Sequence, residues 1–144
     1  MKKIIVSIFA VMVICLLFTG CSDANIKMVQ TGSLEDFKGL PIGKVFDNYK
    51  YFISKSWRSI KSDDGKIIVE FNGVLQLSES QKKAGIKSAS VLFQFLVLNK
   101  KGSIPFILAY SEAQTTNNNG EVETTNLTPR VGRLLAEIFA NNAP

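Results

Sequence analysis

Residues 56–77 read SWRSIKSDDGKIIVEFNGVLQL, and they decide the fold. Residues 66–77 place Ile67, Val69, Phe71, Leu75 and Leu77 on one face and Glu70, Asn72 and Gln76 on the other. That alternation has the period of a half-buried strand. Residues 56–62, with Trp57 near their start, read as its partner. Between them Asp63-Asp64-Gly65 is a tight turn, because Gly accepts positive φ at no steric cost. Two strands joined this closely pair antiparallel. Gly73, inside the second strand, is read as the mark of a bulge.

Outward from the hairpin, residues 78–87 (SESQKKAGIK) are polar and read as a flexible loop. Residues 88–98 form the most apolar strand. Val91, Phe93, Phe95 and Val97 fall on one face, and Leu92, Leu96 and Leu98 on the other. Such a strand belongs in the middle of a sheet covered on both sides, or lies against a partner. After a turn at residues 99–102, residues 103–113 form the next strand, with Phe106, Leu108 and Tyr110 on one face. Pro105 has no N–H to give a ladder, so this strand is expected at an edge, at least near its start. Residues 114–126 (QTTNNNGEVETTN) are nearly devoid of apolar groups and read as a mobile excursion. Asn126-Leu127-Thr128 matches a glycosylation sequon.

Two amphipathic helices flank the strands. Ile42, Val45, Phe46, Tyr49 and Ile53 recur at i, i+3, i+4, i+7 and i+11, behind Pro41 in the first turn. Thr128-Pro129 opens a second helix, striped by Val131, Leu134, Leu135, Ile138 and Phe139. This one could cover the second apolar face of the 88–98 strand. Ahead of the first, residues 26–30 (IKMVQ) alternate weakly and read as a short strand. The expected fold is α+β: an antiparallel meander of about four strands with an N-terminal and a C-terminal helix packed on it.

The N-terminus carries an address. Lys2 and Lys3 precede fifteen apolar-dominated residues, 4–18 (IIVSIFAVMVICLLF). As a helix these span about 22 Å, short of the ~20 residues that cross a bilayer. The pattern is that of a signal peptide, residues 1–20, rather than a permanent anchor. Leu17-Phe18-Thr19-Gly20-Cys21 resembles the lipobox of bacterial lipoprotein precursors, although Phe18 stands where Leu is commoner. An ordinary cleavage after Ala24 is the competing reading. The resemblance implies that Cys21 becomes the lipidated N-terminus, with residues 21–25 as a tether and residues 26–144 as one domain. It also implies membrane attachment through that lipid, at the outer membrane if the host is Gram-negative, since Ser22 replaces the Asp that retains such proteins at the inner membrane.

Of two cysteines, Cys15 leaves with the signal and Cys21 takes lipid, so no disulfide is expected. Without Lys2 and Lys3, residues 21–144 hold 15 basic and 12 acidic groups, a net charge of +3. The basic residues are scattered, and nucleic acid is not an expected partner.

The chain has no His, which excludes His-dependent triads and His-ligated metals. Ser80-Gln81-Lys82-Lys83 satisfies S-x-x-K, but in a polar loop of a chain too short for that enzyme fold. Asp63 and Asp64 share a turn tip that cannot supply the six to eight oxygens of a calcium site. None of the other carboxylates combines an apolar pocket with a defined partner. No catalytic residue, metal or cofactor is expected.

The layout resembles the small α+β lipoproteins of the barrel-assembly machinery and β-lactamase inhibitor proteins. Residues 41–49 (PIGKVFDNY), with Trp57 and residues 69–73 (VEFNG), resemble a pattern in small uncharacterised bacterial envelope proteins. Neither resemblance brings an activity. Two functions stay open. One is a non-catalytic interaction or assembly module whose partner is another envelope protein. The other is a binder of a small hydrophobic ligand, with a pocket lined by Phe46, Tyr49, Trp57, Phe71, Phe93 and Phe95.

Overall fold

The structure, a computed structural model, describes residues 23–98 and 104–141. Cys21 and the leader therefore lie outside the described residues. Five strands form one sheet: β1 (Phe52–Lys61), β2 (Ile67–Leu75), β3 (Ile86–Val97), β4 (Phe106–Asn117) and β5 (Val122–Asn126). Each pairs antiparallel with the next, in the order β1-β2-β3-β4-β5. The helices are α1 (Ala24–Thr31), α2 (Ile42–Asn48), α3 (Glu79–Lys83) and α4 (Val131–Ala140). The α+β meander is as expected, with one more strand and two more helices than the sequence suggested.

Register explains the two faces. Trp57, Phe71, Phe93 and Ser111 stand opposite one another on one rung, and Arg58, Glu70, Gln94 and Tyr110 on the next. Because side chains alternate, the first rung faces the helices and the second faces away. On the helix side, Val29, Ile42, Phe46, Leu135 and Ile138 join Val69, Phe71, Phe93 and Phe95 in a single buried cluster. Helix α4 thus packs on the same face as α2, and Tyr49 Oη donates to Glu137 Oε1 at 3.3 Å between them. It does not cover the second apolar face of β3, where Leu92 and Leu96 remain partly exposed.

The remaining differences have local causes. Residues 26–30 belong to α1, not a strand. Asp23 caps this helix by accepting from Asn25 N at 2.8 Å, so Ala24 and Asn25 are helical rather than tether. Helix α2 stops at Asn48. Tyr49 N bonds Phe46 O at 3.4 Å and Phe52 N bonds Tyr49 O at 3.1 Å, turning the chain into β1 four residues before Ser56. Ile53 leaves the helical stripe and is 65% exposed on β1.

Residues 78–87 contain α3, held by a capping box in which Ser78 and Gln81 bond each other's backbone N–H. Residues 114–126 are a hairpin of β4 and β5, turned at Gly120 with φ 84°. At Gly73 the ladder is regular, opposite Lys55 and Val91. The glycine is there because a Cβ would lie 2.6 Å from Phe52 Cε1.

Candidate interaction groove

The six aromatic residues of the expected ligand pocket do come together, as one packed unit. Phe46 is the hub: its ring centroid lies 4.6 Å from Phe71, 5.1 Å from Phe93, 6.0 Å from Trp57 and 6.4 Å from Phe95. Tyr49 joins through Phe52, 4.8 Å away. Centroids 4.5–7 Å apart are ordinary aromatic packing. Two polar atoms within the core, Trp57 Nε1 and Ser111 Oγ, are buried without a hydrogen-bond partner.

Open space lies elsewhere, beside the first half of β4. Strand β5 pairs with β4 only from Glu112 to Thr116. The next backbone position is closed by Thr128: Ser111 N donates to Thr128 Oγ1 at 3.0 Å, and Leu127 N donates to Ser111 O at 2.9 Å. Among the described residues, 106–110 therefore have a neighbouring strand on one side only. Pro105 anticipated this half-edge.

The opposite wall is the segment after α1. Gly32 brings the chain so near that a side chain there would run into the Phe106 ring. Residues 33–39 then arch away through a 3₁₀ turn at Glu35–Phe37 and return at Gly39, with φ 83°. Phe37 fixes the arch by stacking on Phe139 of α4 at 4.2 Å. The result is a groove of about 650 Å³ lined by Leu34, Phe37, Ile104, Leu108, Val131 and Leu135. Glu35, Asp36 and Lys38 also border it. Ile104, at its strand wall, is 43% exposed; Ile107, paired with Leu96 and on the opposite face of the sheet, is 42% exposed. The groove offers an apolar channel running beside a half-strand without a partner on its outer side. This geometry admits an extended chain that hydrogen-bonds to β4.

The groups considered for chemistry sit apart from this groove. Ser80 lies exposed on α3, its hydroxyl 2.9 Å from that of Ser78. Asp64 is paired with Lys66 at 2.6 Å. That ion pair, helped by the Ser62 hydroxyl, holds its carboxyl at about 2. Among the described residues, no group of three acidic or Cys side chains could hold a metal ion.

Glu70 was expected on the wet side of its strand. It does face away from the helices, yet it is only 3% exposed. Arg58 Nε and Gln94 Nε2 both donate to it, the latter at 2.7 Å, from the strands on either side. The signal for this burial is the register, which composition does not carry. Tyr110, on the same rung, donates to Glu112 Oε2 at 2.8 Å, and that bond raises its phenol above the ordinary value.

Compared with protein-family descriptions, curated proteins and solved structures, the chain matches none.

Proposed function

We propose that this chain is a non-catalytic interaction module of the bacterial envelope, anchored to the membrane by lipid on Cys21. It takes up an extended, apolar segment of a partner protein in the groove beside β4. The observation that carries this reading is the half-strand 106–110, which among the described residues pairs with no strand on its groove side and is walled by Ile104, Leu108, Val131 and Leu135. An unprotected edge beside apolar pockets supports strand addition, in which backbone bonds supply affinity and the pockets select side chains. The outer membrane is the destination if the host is Gram-negative.

The alternative, a small hydrophobic ligand among Phe46, Tyr49, Trp57, Phe71, Phe93 and Phe95, has less support. Such a ligand would have to displace rings already in mutual contact.

The test is photo-cross-linking in cells from a benzophenone side chain at position 104, with position 119 on the far β4–β5 turn as control. A defined protein adduct from 104 and none from 119 is the expected outcome. Equal labelling from both positions, or none from either, would count against the groove.

A further inference from the structure

We infer that one end of the sheet is the surface that rests on the lipid headgroups: the end where β1 and β3 finish and β2 and β4 begin. This rests on the lipidation of Cys21 proposed above.

Helix α1 packs against β1 and β2, and its last turn leads to Gly32 against Phe106 at the start of β4. From β1 to β4 is three strand spacings, about 14 Å. Nine helical steps at ~1.5 Å cover the same distance. Helix α1 therefore runs across the strands at that end of the sheet, on the helix-covered face.

The chain outside the described residues is short at this point. Only Ser22 stands between Cys21 and Asp23. Two residues reach at most about 7 Å. Lipid on Cys21 would thus enter the bilayer within about 7 Å of the cap of α1. A domain held that closely has this end against the headgroups and the opposite end, with α3 and the Asn118-Asn119-Gly120 turn, in water.

The residues at the near end suit that position. Lys27 on α1 and Lys61 closing β1 are exposed cations, Asp23 is the carboxylate that caps α1, and Ile104 is an exposed apolar side chain. Lysines attract anionic headgroups, and an isoleucine can enter the interface between them. Asp63 and Asp64 are at the turn after β1, with Asp64 neutralised by Lys66. One consequence concerns the groove. Ile104 forms part of its wall, so the groove opens near the membrane surface, and its partner segment would be met there.

The experiment uses the full lipoprotein reconstituted into vesicles of phosphatidylethanolamine and phosphatidylglycerol carrying a headgroup nitroxide quencher. Single cysteines for a fluorophore replace Lys61 or Ile104 at the near end, and Ser80 or Asn119 at the far end. Flotation with the vesicles is read in parallel, beside a Cys21→Ser control. The inference expects several-fold stronger quenching at Lys61→Cys and Ile104→Cys than at Ser80→Cys and Asn119→Cys. Equal quenching at both ends in a protein that floats would overturn the orientation and leave lipidation standing. A parent chain that floats no better than Cys21→Ser would overturn lipidation, and the orientation with it.

Discussion

Gly73 shows how a single position can be set by a neighbour's ring. The residue sits in regular β2 ladder, and a methyl group there would meet Phe52 Cε1 at 2.6 Å and Phe71 Cε1 at 2.9 Å. Both rings are buried, so neither can swing out. Gly73→Ala should destabilise the domain by about 1–3 kcal/mol, measured by chemical denaturation. Tyr49 makes a different prediction. Its phenol is only 4% exposed and donates to Glu137. Burial first, and then the Glu137 carboxylate, push its pKa from 10.0 to about 12. The fold therefore favours the neutral phenol. Its stabilising contribution is intact below pH 10 and is lost as pH rises toward 12. A spectrophotometric titration should show one tyrosine ionising about two units late, and Tyr49→Phe should remove that step.

At the scale of elements, legibility in the sequence followed how one-sided the burial is. Strands β2 and β3 were readable because Val69, Phe71, Val91, Phe93 and Phe95 are deeply buried on one face. Helix α1 was not: of its eight residues only Val29 is fully buried, so neither period dominates IKMVQ. The α2 stripe was overextended because Ile53 falls at helical spacing by coincidence, while aromatic Tyr49 and Phe52 are packed by a turn. In α3 the signal was present but unread: Ser78 and Gln81 have the spacing of a capping box inside a polar stretch. Ser78→Ala should cost about 1 kcal/mol of local stability. Hydrogen exchange checks it, because the Lys82 and Ala84 amides, bonded to Ser78 O and Ser80 O, should lose protection while β3 amides keep theirs.

At the scale of the molecule, the candidate site was legible only in part. Pro105 and the Ile104–Leu108 neighbourhood marked an edge, for the physical reason that proline lacks a donor. The other walls come from residues 33–39 and 131–135, which are brought to β4 by the crossing of α1 and the return of α4. No local pattern announces such a meeting. Conversely, the aromatic set that invited a ligand was legible as a cluster, and its members spend their surface on one another. What remains for function is a half-strand edge, an apolar channel and, by the lipobox resemblance, a short connection to a membrane.

Amide hydrogen exchange along β4, compared for the protein alone and joined to the partner cross-linked through position 104, tests strand addition most directly. The account predicts new protection at amides within Phe106–Tyr110 and none in Val122–Asn126. Unchanged exchange at 106–110, with protection appearing instead among the core amides around Phe46, Phe71 and Phe93, would contradict it.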